Sequence, residues 1–242
     1  MSTWSPASEK IASTPTLLLV LEASTSCGSV ALIDGRQLVA VESVAMGAKR
    51  EDQLFPAVQS LLAAVGATPP QLRGVVCGHG PGSFTSLRIA AALGKGLAHG
   101  ASIPLFAVSS LLLAAADAVG AVSAGTAVVH GDALRGERYV LDVVFDEEGV
   151  VHAHRPVQRM TVDQLEMHAA GRPRLAVLST STPGLETRLV TPSSAHLCRV
   201  APGEWSNAVP VESWEPQYGR LAEAQVKWEA SHGSTLPSAG VP

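Results

Sequence analysis

Short apolar runs alternate with turn residues over the first third of the chain. The runs "TLLLVLEAST", "GSVALI" and "RQLVAVES" predict three consecutive strands, and Asp34-Gly35 between the last two is a tight-hairpin signal. The segment "EDQLFPAVQSLLAAVG" then predicts a helix, because its apolar residues recur at helical spacing at Leu54, Val58, Leu61 and Val65. A strand at "LRGVVCGHG", a helix over 84–99 and a strand at "IPLFAVSS" follow. The predicted order is βββαβαβ.

The second half of the chain begins with the same pattern. Three strands are predicted at "TAVVHGDAL", "ERYVLDVVFD" and "VVHAHRPVQ", with a hairpin signal at "DEEG". The segment "TVDQLEMHAA" opens with a Thr-x-x-Gln capping box, which predicts a helix, and "RLAVLST" predicts a further strand. The repeated βββαβ order favours two halves of like fold.

These patterns divide the chain into five parts. We predict a first domain at 16–112, a second, degenerate domain at 113–215, and a C-terminal helix at 216–231 that packs back toward the first domain. The two ends, 1–15 and 232–242, are rich in small polar residues and proline, and we expect them to be flexible.

Composition bears on partners and compartment. The chain is 46% hydrophobic and only 16% charged, with a formal charge of −4, so part of its apolar surface is expected to meet a partner. Its 17 Lys and Arg are scattered, which argues against binding nucleic acid unaided. The three cysteines are far apart, and no apolar leader or membrane-length run occurs. We therefore expect a cytoplasmic protein that does not bind membranes.

The loop "GHGPGSFTS" has two interpretations. Glycines between a strand and a helix can direct backbone N–H groups at an anion, and the residues of this possible anion-binding loop are Gly80, Gly82, Ser83 and Phe84. The loop lacks the lysine of a Walker A motif and the spacing of a dinucleotide-binding fingerprint. A tight turn in which Ser83 caps the helix is the favoured interpretation.

The helix after this loop carries two apolar stripes. Ile89, Leu93 and Leu97 are expected to face their own core, and the small-residue stripe is expected to meet a helix of another chain. The alternative is that helix 51–65 of the same chain covers the small stripe. The predicted partner interface consists of Leu54, Val58, Leu61, Leu87, Ala91, Gly94, Lys95 and Ala98. A bulky residue at position 94 is then expected to abolish partner binding while the monomer stays folded.

Other patterns of catalytic residues are weak. His152 and His154 would share one face of a strand but have no third ligand nearby, so coincidence is favoured over a metal site. Ser83 does not lie in a G-x-S-x-G nucleophile turn. We predict no catalytic residues, no bound metal and no cofactor.

Several segments resemble one bacterial family. The runs "GPGSFTSLRIA", "GKGLAHG" and "IPLFAVSSL" closely resemble the corresponding run of the TsaB (YeaZ) family, and further matches are "LEASTSCGSVAL", "DALRGERYV" and "EPQYGRLAEAQVKWEA". The matches keep the family's order over about 17–230. Some positions depart from the family pattern: Ser86 and Ala90 replace glycines, Glu22 replaces an aspartate, and Arg50-Glu51-Asp52 replaces His-Ser-Glu.

The resemblance implies a fold and a role. The fold is the actin-like ATPase architecture, α/β, with two ribonuclease-H-like halves of the βββαβαβ type. The role is that of a non-catalytic scaffold that binds a TsaD-like catalytic subunit and a TsaE-like ATPase for threonylcarbamoylation of tRNA. It implies a homodimer when the chain is alone, and contact with tRNA only through the complex.

An enzymatic alternative stays open. A degenerate actin-like ATPase or phosphotransferase would hold Mg-ATP between its halves, using Glu22, Asp132 and the glycine loop. Against this, Ala133, Leu134 and Arg135 put side chains where a phosphate turn of this superfamily has glycines.

Overall fold

The computed structural model describes residues 16–46, 53–133, 135–177 and 187–218. Its first half contains strands and helices in the order β1 (Leu17–Glu22), β2 (Cys27–Asp34), β3 (Gln37–Ala45), α1 (Leu54–Ala64), β4 (Gly74–Gly78), α2 (Phe84–Ala101), β5 (Leu105–Val108) and α3 (Ser110–Ala116). Its second half contains β6 (Gly125–Asp132), β7 (Glu137–Phe145), β8 (Val151–Ala153), β9 (Gln158–Thr161), α4 (Val162–His168), β10 (Arg174–Val177), β11 (Arg188–Val190) and β12 (Ala208–Val209).

The two sheets share one topology. The strand order of the first sheet is β12-β5-β4-β1-β2-β3, and that of the second is β11-β10-β6-β7-β8. Apart from β12, both sheets have the order fifth, fourth, first, second and third strand of their half. In each half the second strand, β2 or β7, is antiparallel to the first strand, β1 or β6. The fourth strand, β4 or β10, is parallel to the first. In the second half β8 and β9 both pair with β7 and divide the place of the third strand. This duplication confirms the predicted actin-like ATPase fold.

The first sheet is covered on both faces. Leu19 and Leu21 of β1 lie in one apolar cluster with α1 and α2, whereas Leu18 and Val20 lie in a second cluster with α3 and the inner face of the second sheet. All four side chains are essentially inaccessible to solvent. A central strand buried on both faces needs a continuous apolar run, which explains the unbroken "LLLVL".

The two halves share a core. The 3₁₀ helix Ser194–Arg199 packs on β1, β2 and β3 of the first sheet, and the buried Ser194 N–H donates to Ser29 Oγ at 2.8 Å. Trp205 meets Phe106 of β5 edge-on, with ring centroids 6.2 Å apart. The space between the sheets is therefore packed apolar core at these positions.

Residues 208–218, here called the strap, return to the first half. Its β12 pairs antiparallel with β5, the Lys95 ammonium donates to the Glu212 carbonyl, and the Gln217 N–H donates to the His79 carbonyl at 2.7 Å. Within the second domain predicted at 113–215, the short strand β12 (Ala208–Val209) pairs with a strand of the first sheet. The predicted division after residue 112 also falls inside α3.

Several sequence predictions lie outside the described residues. These are the two ends at 1–15 and 232–242, Arg50 to Asp52, and the helix predicted at 216–231 from residue 219 onward. No helix among the described residues is both long and apolar enough to cross a membrane.

A charged cluster fixes α4 to the second sheet. The Asp142 carboxylate on β7 lies 2.8 Å from His168 Nε2 and 2.9 Å from Arg172 Nη1. The Arg172 guanidinium also donates to the His168 carbonyl. Although burial raises the pKa of Asp142, the His168 and Arg172 partners lower it by more, and the net pKa is below the usual value.

Candidate partner face and glycine loop

The orientation of α2 is the reverse of the sequence prediction. Its small-residue stripe faces its own sheet: Leu87, Ala91, Gly94 and Ala98 are buried. A side chain at Gly94 would overlap Cys77 Sγ of β4, so the helix axis lies close to the sheet. Ile89, Leu93 and Leu97 are half-buried on the flank of the helix.

The predicted interface residues are therefore corrected. On α1, Leu54, Val58 and Leu61 are buried against the sheet like the small stripe of α2. Only Lys95 is half-exposed, and it bonds to the strap. Side chains inside the chain's own core are not available to a partner, and the helix periodicity could not show which apolar side faces inward.

The surface that α1 and α2 do present is almost free of charge. The exposed residues of α1 are Phe55, Pro56, Gln59, Ser60, Ala63 and Ala64. On α2 the exposed residues are Thr85, Arg88, Ala92, Gly96, His99 and Gly100, beside half-buried Ile89, Leu93 and Leu97. The helix face consists of the six exposed residues of α1 together with Thr85, Ala92, Gly96, Ile89, Leu93 and Leu97 of α2. The helix face includes one exposed aromatic side chain, Phe55, which is 45% exposed.

The charged residues of α2 lie on the flank toward the strap. The Arg88 guanidinium lies 5.1 Å from the centroid of the Phe84 ring, which packs at 4.6 Å against Tyr218 of the strap. About two helical turns further along α2, the Lys95 ammonium donates to the Glu212 carbonyl. The strap thus holds the cations at the edge of the helix face.

The glycine loop after β4 is fixed by hydrogen bonds at both ends. The Gly80 N–H donates to Ser110 Oγ at 3.1 Å, and the Gly80 carbonyl accepts from the Ser110 N–H at 3.0 Å. At the other end the Ser83 N–H donates to the Ser24 carbonyl at 2.7 Å. Gly80 has φ +95°, and a side chain there would lie 2.6 Å from the Gln217 carbonyl, which explains the glycine.

This bonding agrees with the structural interpretation of the loop. The four residues of the possible anion-binding loop do lie together, but the Gly80 and Ser83 N–H groups already have acceptors. A side chain at Gly82 would overlap the backbone of Ser24, so the loop rests directly on the β1–β2 turn. Ser83 is the N-cap residue as predicted, but its hydroxyl makes no cap bond and instead lies 3.0 Å from Ser86 Oγ.

Glu22 is an internal carboxyl group. It is fully buried at the end of β1, where its Oε1 accepts from the Ser24 N–H at 2.6 Å and its Oε2 from the Ser110 hydroxyl at 2.8 Å. Burial raises its pKa, and the bonds to Ser24 and Ser110 lower it by less. Both oxygens already have partners, which leaves neither directed at solvent.

Two of the residues considered for a metal site, Asp132 and His152, have separate partners. Asp132 bonds to Arg138 at 3.1 Å, and His152 lies 3.1 Å from Asp146, an acid that the sequence analysis did not select. Ala133 beside Asp132 is buried. Among the described residues no three His, Cys, Asp or Glu side chains come together as a metal site.

The strap and the Ser194–Arg199 helix were not predicted. Both lie in or next to 155–212, where the sequence has short apolar pieces without sustained periodicity. The signals present were Trp205 and Trp214, large apolar residues in an otherwise polar stretch. Such residues indicate burial without indicating the surface that buries them.

Comparisons with known proteins agree with this fold. Residues 47–191 match the family model described as "TsaD: tRNA N6-adenosine threonylcarbamoyltransferase". The tRNA threonylcarbamoyladenosine biosynthesis protein TsaB of Escherichia coli is 35% identical over 100 residues, covering 41% of this chain and 43% of that protein. The chain therefore spans less than half the length of this relative.

Two further matches cover most of the chain. The structure of YeaZ from Pseudomonas aeruginosa superposes with a TM-score of 0.71 at 23% identity, covering 84% of this chain and 99% of that one. The TsaB protein of Bacillus subtilis is 31% identical over 227 residues, which are 87% of this chain and 97% of the relative. This match over almost the whole relative shows that the chain belongs to the TsaB (YeaZ) family.

Proposed function

We propose that the chain serves tRNA threonylcarbamoyladenosine biosynthesis, the process named for its relatives, as a non-catalytic scaffold. It binds a TsaD-like catalytic subunit and a TsaE-like ATPase, and meets tRNA only through the assembled complex. Alone, it forms a homodimer through the same surface. The observation that carries this proposal is the uncharged helix face of α1 and α2.

The composition of the helix face suits helix-to-helix packing. Exposed helices of a monomer normally carry charged residues on their outer side, whereas the exposed positions of α1 have none. Gly96 lies inside α2, and a Cβ there would meet nothing within 4 Å in the described part of the chain, so no contact seen there explains a residue that costs about 1 kcal/mol relative to alanine. Small residues allow a partner helix to approach closely.

The match to a TsaD family model supports a partner of related fold. A partner of that fold would have its own pair of helices at the equivalent place on its first sheet. Two like helix pairs can then pack around an approximate twofold axis, as two copies of this chain would in a homodimer. The scaffold acts by favouring one conformation of its partner. This requires only that it binds that conformation more tightly than the other.

The arrangement around Glu22 supports a non-catalytic role. Its carboxyl oxygens are bonded inside the first half, and packed apolar residues fill the space between the sheets. A phosphate group needs close backbone approach, and Ala133 places a buried side chain at the second turn.

The helix face is tested by mixing the chain with a TsaD-like subunit and measuring affinity by titration calorimetry. We expect Ala92→Glu and Gly96→Leu to weaken binding by about a hundredfold or more, because each puts bulk or charge into a close helix contact. The matched control is Met167→Glu on α4, where the side chain is 74% exposed, and it should leave affinity unchanged. Thermal unfolding should show no loss of stability in any of the three variants. Equal affinities in all variants would reject the helix face.

A further inference from the structure

Glu22 joins the three segments that meet at the glycine loop. Leu21 pairs with Cys77 in the parallel β1–β4 ladder, so Glu22 lies beside Gly78. A side chain at Gly78 would overlap Glu22 Oε2, which shows that the carboxyl group crosses into the space above β4. From there it reaches Ser110 at the start of α3.

Each carboxyl oxygen supports one end of the loop through one intermediate residue. Oε2 accepts from the Ser110 hydroxyl, and Ser110 Oγ in turn accepts from the Gly80 N–H at the strand end of the loop. Oε1 accepts from the Ser24 N–H, and the Ser24 carbonyl accepts from the Ser83 N–H at the helix end. Two short chains of bonds therefore run from one buried group to the two ends of the loop.

The helix end of the loop is the start of α2. Ser83 is the N-cap residue of α2, and its carbonyl accepts the first bond of the helix from the Leu87 N–H at 2.9 Å. A shift of Ser83 is therefore transmitted to Thr85 and Ala92 on the outer side of α2. The buried surroundings strengthen these bonds, because water cannot compete for the donors.

We propose that Glu22 is a positioning residue that sets the glycine loop and the first turn of α2 in place for partner binding without touching the partner. This inference rests on the proposed function, since it assigns to Glu22 the placement of the helix face. It also replaces the metal-binding role considered for this residue.

The first test measures amide hydrogen exchange by NMR on the full chain. Ser110→Ala removes the acceptor of the Gly80 N–H, and Glu22→Gln leaves a single acceptor oxygen where two are used. We expect exchange of the Gly80 amide in the first variant, and of the Gly80 or Ser83 amide in the second, to accelerate about tenfold or more. Core amides of β1 and β4 should change only with global stability, which urea unfolding measures separately.

The matched control is Ser29→Ala. Ser29 is as buried as Ser110, and its hydroxyl also accepts a backbone N–H, that of Ser194, but the bond lies on the opposite side of the sheet from the helix face. This variant should accelerate the Ser194 amide and leave Gly80 and Ser83 unchanged. This control distinguishes the general effect of losing one buried hydroxyl hydrogen bond from the specific effect of displacing the glycine loop.

The second test measures affinity for the TsaD-like subunit with the same three variants. Glu22→Gln and Ser110→Ala should each bind about tenfold more weakly than the parent, and Ser29→Ala should bind equally well. Unchanged Gly80 and Ser83 exchange in both loop variants would overturn the inference. Accelerated exchange with unchanged affinity would overturn it too, and would leave the proposed function intact. Absence of binding by the parent chain would instead reject the proposed function. The exchange of the Gly80 and Ser83 amides would still show whether Glu22 and Ser110 hold the loop in place.

Discussion

Gly94 of α2 lies directly over Cys77 of β4, with no space for a side chain between the helix and the sheet. The contact explains a glycine in the middle of a long helix. It also reverses the expected result of a bulky substitution there, because position 94 belongs to the core of the first half.

Substitution of Gly94 is expected to destabilise the fold itself. Gly94→Ala should lower the free energy of unfolding by about 1–3 kcal/mol, because its methyl group meets the Cys77 sulfur and the helix must move away. Urea unfolding followed by circular dichroism measures the change. Gly96→Ala is the matched control, two residues along the same helix with open space at its Cβ, and should gain about 0.5–1 kcal/mol. Equal stability of Gly94→Ala and the parent would contradict the close contact.

Stability should fall in acid as Asp142 takes up a proton. Its pKa in the folded chain lies below the usual value of 3.8, so its pairing with His168 and Arg172 stabilises the fold above that pH and is lost as the pH drops through the lowered pKa. Asp142→Asn should cost about 1.5–3 kcal/mol at pH 7, and this difference should shrink steadily below about pH 4. Unfolding of both proteins across this range gives the comparison. Exposed Glu166→Gln should change stability by less than about 0.5 kcal/mol, and a pH-independent Asp142→Asn effect would refute the assignment.

His130 is expected to weaken the fold in mild acid. Its ring is completely buried on β6, and neither ring nitrogen has a hydrogen-bond partner among the described residues. Burial, together with the nearby Arg138 and Arg174 charges, lowers its pKa to about 4. The unfolded chain therefore binds a proton between about pH 6.5 and 4 that the folded chain does not, and stability declines as the pH falls through that range.

Replacing this histidine should remove that dependence. His130→Leu eliminates the unpaired ring nitrogens and should raise stability by about 1–3 kcal/mol, with a larger gain at pH 5 than at pH 7.5. A His130→Leu gain that is equal at both pH values would show that the histidine does not titrate as described.

Nucleotide binding distinguishes the proposed scaffold role from the enzymatic alternative. Titration of the isolated chain with ATP and Mg²⁺ should give weak or no heat of binding, because Glu22 is bonded internally and Asp132 is paired with Arg138. Micromolar binding by the parent that disappears in Asp132→Asn would instead establish the ATPase or phosphotransferase alternative.

The repeated fold could be predicted because its signals are local. Asp34-Gly35 marks the β2–β3 turn, and Thr161 and Gln164 form the capping box expected at the start of α4. The inward side of α2 could not be predicted, since both of its stripes are apolar. The choice depends on the small side chains opposite, such as Cys77, and therefore on tertiary contact.

The candidate site was predicted only in outline. The sequence analysis favoured a tight turn for the glycine loop, but the loop's partners Ser24 and Ser110 come from other parts of the chain, and sequence spacing does not show such contacts. The third strand of the second half was predicted as one run at 150–158, whereas the structure divides it between β8 and β9. Pro156, which cannot donate to a ladder, lies in the interruption.

The strap ties the end of the second half to the far edge of the first. Separating the lobes would require β12 to leave β5, Trp205 to leave Phe106, and Ser194 to leave Ser29. Hinge opening would thus break a sheet edge, an aromatic contact and a buried hydrogen bond together. In the proposed assembly the chain would consequently present its helices as a rigid block, and conformational change would fall to the other subunit.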